Sequence, residues 1–401
     1  MGGSIMASTI NSDTSNGLIL TPDTTGEIEL QSAGVTKAKI TSSGLQNASG
    51  SAITSQAGKN LIINGDMAID QRNAGASATS NGSVYTVDRY EFQMSSVTNV
   101  QTYQQVTDAP AGFNKSLKIT NNSTTQATAA GVLCTPRQKI EGLNTAYLNW
   151  GTSDAQTVTV SFWVKASVTG TYPVALTNND FSRSFVTNYT VSVANTWEYK
   201  TVTIAGDTSG TWTVNTTTGI NVLFSLDTGS TYQTTAGSWQ AGNYRGTSSD
   251  VHFLANASAT WQITGVQLEA NTTATPFEYL QYGQQLALCE RYFSTSYGNN
   301  PVGTNTWDGT YAGRNYNTSS RGENVVNIHL PVQMRASPTL TAYSKAGTSG
   351  KLVAGSTSVD SSATELTCSL LGSSTILRAV TGATIGAALW YQFHYTAEAE
   401  L

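Results

Sequence analysis

The tightest constraint on the fold is a two-residue alternation of apolar and polar side chains that recurs along the chain. In 157–164 the residues Val158, Val160, Phe162 and Val164 fall on one side, and Thr159, Ser161 and Trp163 on the other. Ile220, Val222, Phe224 and Leu226 repeat the pattern. A period of two is that of a half-buried strand and conflicts with a helix, whose faces repeat every 3.6 residues. In 261–268 the parity changes across Gly265, from Trp261/Ile263 to Val266/Leu268, which predicts a β-bulge at Gly265. Thr208-Ser209-Gly210 and Asp227-Thr228-Gly229 are turn clusters between such runs. Many short strands without intervening helical patterns predict a β-sandwich.

The run Asn60–Arg72 reads as the opening of that sandwich. Leu61, Ile62 and Ile63 end at the turn signal Asn64-Gly65-Asp66, and 261–271 reads as the closing strand that pairs with it. The resulting fold class is all-β: an extended N-terminal arm over 1–58, a jelly-roll-like β-sandwich over 59–280, a short connecting helix over 281–293, and a smaller C-terminal β-sandwich over 294–401. The arm holds brief alternations at 17–20, 27–30 and 38–41, too thin to bury a core. It is either disordered or a β arm ordered by sister chains or a docking partner. In the helix, Tyr282, Leu286, Cys289 and Phe293 share one face. That face packs on its own sandwich or lines an axis between identical chains. Val326, Ile328 and Leu330, and Leu389, Tyr391, Phe393 and Tyr395, mark inward positions of C-terminal strands, with Pro331 and Pro338 bracketing a segment at the sheet edge.

Composition excludes several function classes. Of 401 residues only 11% are charged, and the net charge is −5. Nucleic-acid binding needs clustered Lys and Arg, so no nucleic-acid partner is expected. No window of 18 apolar residues exists, so no membrane insertion by a helix is expected. The first ten residues lack a basic region followed by an apolar stretch, so no secretory signal is expected there. Cys134, Cys289 and Cys368 are odd in number and widely spaced, which predicts neither a disulfide framework nor a metal site and fits assembly in a reducing cytoplasm. Polarity rests on Ser, Thr, Asn and Gln, with 36 Gly and 18 Tyr, a mixture common in extracellular and virion-surface β-proteins.

No serine lies in a nucleophile-elbow motif, and His252, His329 and His394 have no metal-ligand spacing. His329 and His394 fall on the non-core sides of their strands and read as surface or interface histidines. With 25 acidic residues, a close carboxylate pair by itself would not mark a glycosidase. No enzyme activity is expected. Two loops mix Trp, Tyr, Arg, Asn and Gly as glycan-contacting loops do. One is 231–247, with Trp239, Tyr244 and Arg245; the other is 297–321, with Trp307, Asp308, Tyr311, Arg314 and Tyr316. These residues are the candidate receptor or glycan contacts, or else they pack beneath their own loops. Trp163, off the core, joins Tyr282, Leu286, Cys289 and Phe293 as a candidate oligomer contact. Weakly charged strand edges invite pairing unless an assembly covers them.

Asn60–Arg72, with Tyr85-Thr86-Val87-Asp88-Arg89-Tyr90 downstream, resembles the opening of a β-sandwich domain in bacteriophage tail-fibre and virion structural proteins. Ile263–Glu269, Thr275-Pro276-Phe277-Glu278 and Leu286–Phe293 resemble that domain's closing strand and exit helix, and Pro331–Thr339 with Tyr395–Leu401 the C-terminal domain of the same proteins. The segments Met6–Ile10 and Gly26–Leu45 are similar to their N-terminal arms. The resemblance implies a virion component, assembled in the host cytoplasm and exposed on the particle. It would be a homotrimeric tail fibre that docks on other virion proteins through residues 1–58 and binds a host surface glycan or other receptor without cleaving it. A head-decoration (cement) protein and a tailspike-type depolymerase are the alternatives. The sandwich also resembles jelly-roll carbohydrate-binding modules, which hold a structural calcium between first and last strands. By position the ligands would be Asp66 and Glu269. Met67-Ala68 stands where those modules place Phe-Glu, so a key carboxylate of that site is missing; either a structural calcium still binds there or Asp66 serves its turn, and no other cofactor is expected.

Overall fold

The computed structural model describes residues 28–32, 35–41, 44–47, 58–122, 125–314, 327–355, 364–372, 375–381 and 390–401. The chain divides into two compact units, Met1–Ala57 and Gly58–Leu401. In the first, Ile28–Ser32, Val35–Thr41 and Gly44–Asn47 form a three-stranded antiparallel meander. It matches the alternations at 27–30 and 38–41; the one at 17–20 lies outside the described residues.

The second unit begins with the sandwich. Its strands are β1 (Ala78–Ser80), β2 (Val84–Tyr85), β3 (Tyr90–Ser95), β4 (Gln101–Val106), β5 (Ser116–Asn121), β6 (Leu133–Glu141) and β7 (Val158–Ala166). They continue as β8 (Gly170–Thr177), β9 (Arg183–Val191), β10 (Glu198–Ile204), β11 (Thr218–Phe224), β12 (Asp227–Thr228), β13 (Trp239–Ala241) and β14 (Thr260–Glu269). One sheet runs β10-β7-β14-β5-β4-β1; the other runs β13-β9-β8-β11-β6-β3-β2, with β12 also on β6. The inward sets are those of the alternation: Val158, Val160, Phe162 and Val164 meet Ile220, Val222 and Phe224 in one core. Across β7, Ser161 faces Gln267 and Trp163 faces Thr264, so Gly265 and Val266 together oppose Phe162. This is the bulge expected at Gly265, whose φ of +63° suits glycine.

The opening stretch departs from expectation. It pairs with β14 as predicted, through Leu61 N–H to Leu268 O and Val266 N–H to Gly65 O, both 2.9 Å. Yet it is a ribbon of turns rather than a strand. Asn64 and Met67 have φ of +59° and +57°, which no ladder accommodates. The fully buried Asn64 amide replaces the ladder: it accepts from Ile69 N–H and donates to the carbonyls of Ile69 and Asp88. Gly65 presses so close that a Cβ there would lie 2.1 Å from Val266 O.

The helix spans Tyr282–Glu290, shorter than 281–293, and buries Gln285 and Cys289. Phe293 leaves it because it pairs with Glu398 in the next sheet. That sheet contains β15 (Phe293–Thr295), β16 (Tyr311–Arg314), β17 (Asn327–His329), β18 (Thr339–Tyr343), β19 (Lys351–Gly355), β20 (Thr364–Gly372), β21 (Ile376–Thr381) and β22 (Trp390–Glu398). β22 is its centre, pairing with β15, β16, β18 and β19 along its length. Ile328, Leu330, Tyr391, Phe393 and Tyr395 are buried as the alternation requires; Val326 and Leu389 lie outside the described residues. His394 corrects the expectation of a surface histidine. It is fully buried, stacked 4.0 Å from Tyr297, because the loop after β15 covers the second face of β22. Burial holds its imidazole below the usual histidine range. His329 is exposed.

The two β-assemblies are joined by charge. Arg89, 1% exposed, donates to the Glu400 carboxylate and to Lys139 O, and lies 3.4 Å over the Tyr292 ring. Arg72 reaches Glu400 at 3.3 Å and Asp88 at 3.8 Å and covers the Phe293 ring at 3.8 Å. Glu141 accepts from Arg291 and from the Tyr292 hydroxyl. The Val87–Tyr90 motif and the Cys289–Phe293 motif are therefore two halves of one internal joint.

Candidate functional site

At that joint the molecule has a cleft of about 360 Å³, within the roughly 300–1,000 Å³ usual for ligand sites. Its floor comes from the opening ribbon. Between Asp66 and Gln71 burial alternates, with Met67, Ile69 and Gln71 inside and Asp66, Ala68 and Asp70 turned outward. The far wall is one side of the helix, with Tyr282, Leu286 and Glu290, and Gln105 and Asn299 also line the cleft. Tyr282 is 61% exposed at the rim.

The two carboxylates in the cleft differ in use. Asp70 is committed to its turn: one oxygen accepts from Asn73 N–H (3.1 Å) and the other from Gly75 N–H (2.9 Å). Glu290 has no hydrogen bond or ion pair among the described residues. Burial raises the pKa of both, Glu290 further through the nearby Asp88 charge. With both oxygens of Asp70 held by backbone amides, the cleft offers one free carboxylate.

A smaller hollow of about 120 Å³ lies on the other side of Ala68, lined by Asp66, Phe113, Asn114, Lys115 and Tyr279. Phe113 packs edge-on to Phe277 (5.1 Å) and tilted against Tyr279 (5.6 Å). The bulge makes this possible, since a Cβ on Gly265 would stand 2.7 Å from the Phe113 ring.

The residues singled out from sequence are distributed differently. Trp239 packs at 5.4 Å on each of Trp150, Trp212 and Phe185 and donates to Ala205 O at 2.8 Å. Tyr244 covers Ala175, Val186 and Leu223 on the outer face of the larger sheet. Arg245 is 2% exposed, 4.5 Å over the Phe181 ring, with burial pushing its guanidinium down to about 10. Tyr311 packs on Phe393 and Tyr395. Trp239 and Tyr311 are thus packed strand residues of β13 and β16, and Tyr244 and Arg245 pack beneath their loop. Trp307 is 49% exposed with Lys345 Nζ 3.5 Å over its ring, and exposed Asp308 accepts from Asn300 at 3.3 Å. Arg314 pairs through its backbone with Trp390; its side chain, and Tyr316, lie outside the described residues.

Among the candidate oligomer contacts, Cys289 and Phe293 are buried within their own unit, Leu286 is half-buried and Tyr282 is exposed. The expected single face is split because the helix seats Gln285 and Cys289 inward. Trp163 lies off the core, 5.3 Å from Tyr199. Cys134 and Cys289 are free thiols raised by burial; the Cys368 side chain lies outside the described residues.

The calcium pair does not form a site. Glu269 accepts from Gln267 Nε2, Thr275 N–H and Thr275 Oγ1, and the Lys59 ammonium donates to that same Thr275 hydroxyl and to Pro276 O. Asp66 belongs to the hollow instead. A carboxylate so fully satisfied, beside an ammonium, does not fit a divalent cation. Among the described residues no three His, Cys, Asp or Glu side chains gather. Among the described residues, no helix is long and apolar enough to cross a membrane.

Sequence reasoning missed Asp70, Gln105, Glu290, Phe113 and Tyr279. One signal was available: Tyr279-Leu280-Gln281-Tyr282 follows Pro276 outside any strand alternation, and three of its four residues are exposed apolar or aromatic groups.

No family model matches the chain, and no curated protein matches it. Similar solved structures are carbohydrate-binding modules. A family 4 module is 17% identical over 52% of this chain and 98% of its own, with a TM-score of 0.25. A family 61 module in complex with β-1,4-galactotriose is 10% identical over 53% and 99%, with a TM-score of 0.25. The family 11 module of a Clostridium thermocellum cellulase is 12% identical over 50% and 89%, with a TM-score of 0.22. At such scores neither ligand nor role transfers from these proteins to this chain.

Proposed function

We propose that the protein binds a glycan without cleaving it, in the cleft between the opening ribbon and the exit helix. The observation that carries this reading is the cleft itself: a concave site with an exposed tyrosine at its rim, amides in its lining and a single unpaired carboxylate. Aromatic faces stack on sugar rings, and amide and carboxylate groups hydrogen-bond hydroxyls. The tying of both Asp70 oxygens by backbone amides favours binding over hydrolysis.

The biological setting of this reading is a phage particle. The protein serves as a homotrimeric tail fibre, docked on other virion proteins through residues 1–58 and exposed on the particle surface after assembly in the host cytoplasm. The likeness of Asn60–Arg72, Tyr85–Tyr90 and Leu286–Phe293 to tail-fibre segments supports the setting, as does the low charge. The test has two arms. Adsorption of the purified full chain to host cells is expected to fall at least tenfold in Tyr282→Ala. Equal adsorption would remove the cleft, and a loss only in Trp307→Ala would move the site to the 297–310 loop. Electron microscopy of the intact particle is expected to locate the protein on the tail. Density on the capsid faces instead would overturn the fibre reading in favour of a head-decoration role.

A further inference from the structure

The cleft and the smaller hollow share one wall, the methyl of Ala68, and each has an exposed tyrosine at its outer edge. Tyr282 (61% exposed) serves the cleft and Tyr279 (60%) the hollow, three residues apart on the same segment. Of the outward residues, Asp66 lines the hollow, Asp70 the cleft and Ala68 both. We propose that the two form one groove that holds a linear glycan of several rings, made of neutral or amino sugars and not of uronic or sulfated ones. This deepens the glycan-binding reading and rests on it.

Length follows from the floor. Asp66 lines the hollow and Asp70 the cleft, so a ligand that touches both must pass over Ala68 from one to the other. The residue the two hollows share is alanine, whose side chain is a single methyl. Two partly exposed phenol rings along one groove match successive rings of a chain, since large aromatics left open on a surface mark interaction sites.

Charge sets the class. Asp66, Asp70 and Glu290 line the groove against the single cation Lys115. Glu290 is unpaired, and burial pushes all three carboxyls upward. A carboxylate or sulfate on the ligand would add like charge to an acidic, partly desolvated wall, whereas hydroxyl, amide or ammonium donors would satisfy it. Asn114, Gln105 and Asn299 supply neutral partners along the same path.

The experiment uses the full chain on a printed array of neutral, amino-sugar, uronic and sulfated oligosaccharides two to eight residues long, followed by calorimetry on the best neutral or amino-sugar series. Affinity is expected to rise at least tenfold from the disaccharide to the longest member. Tyr279→Ala should abolish that gain, and on the neutral series Lys115→Glu, which removes the hollow's cationic donor, should reduce it about threefold. Tyr282→Ala should weaken every length. Affinity independent of length, or a long-chain gain untouched in both Tyr279→Ala and Lys115→Glu, would overturn the continuous groove while leaving the cleft intact. Preferred binding of uronic or sulfated chains would overturn the assigned class. No binding of any glycan by the wild-type protein would overturn the glycan reading itself.

Discussion

Arg89 is the residue on which the joint between the sandwich and the C-terminal sheet depends. It is 1% exposed, is held at a φ of +71°, and meets the Glu400 carboxylate, itself 4% exposed at its side chain. Arg89→Met keeps most of the side-chain volume and asks no more of the backbone, so the change isolates the charge. Removing one partner of a buried pair costs about 3–5 kcal/mol, because the other charge stays buried without its counter-ion. Glu400 keeps Arg72 at 3.3 Å, which places the loss near 3 kcal/mol. Glu400→Gln strands Arg89 over the Tyr292 ring and should cost a similar amount. The double variant buries neither charge and should lose about 3 kcal/mol rather than about 6, a coupling of roughly 3 kcal/mol. Urea unfolding of the full chain, followed by tryptophan fluorescence and fitted with a common m value, gives the three numbers. Additivity within about 0.5 kcal/mol would refute the claim that this pair fastens the C-terminal segment to the opening motif.

Two further perturbations test the same region. Gly65→Ala puts a methyl 2.1 Å from the Val266 carbonyl oxygen, so the ribbon must lift from β14. A loss of at least about 2 kcal/mol is expected, and an unchanged melting temperature would show that the contact is not tight. Asp88 is fully buried, and burial pushes its carboxyl up to about 6 against the Arg72 charge. The native state therefore holds the proton more tightly than the unfolded chain, and stability attributable to Asp88 is lost as pH rises from about 4 to about 6. Asp88→Asn has no such loss, so its stability relative to wild type should improve by on the order of 3 kcal/mol between pH 4 and pH 7.5. Parallel curves for the two proteins would refute the buried-carboxylate account.

The fold was legible where a local rule carries long-range meaning. Alternation in 157–164 assigned the inward and outward faces of β7 correctly, and the parity change located the bulge at Gly265, because a strand has only two faces. The same rule failed at His394, where one sheet is covered on both sides and the outward face is buried too. It also misjudged Asn60–Arg72, whose turns depend on Asn64 reaching the Ile69 and Asp88 backbone.

The candidate site was hardly legible. Trp239, Tyr244 and Arg245 have a composition suited to binding, yet they are spent on packing, since side-chain type does not reveal what lies beneath a loop. The groove draws on residues 66–74, 105, 113–115, 279–290 and 295–299, none of which announces its neighbours. Sequence alone determined an all-β chain, its strand faces and its turn points, because these follow from periodicity and backbone preference within a few residues. Only tertiary structure decided that Arg89 and Glu400 are a joint, that Glu290 lines the same cleft as Asp70, and that Tyr279 and Asp66 line one hollow. Those facts depend on distance and burial between segments more than 200 residues apart, and solvent exclusion, unlike alternation, leaves no local mark.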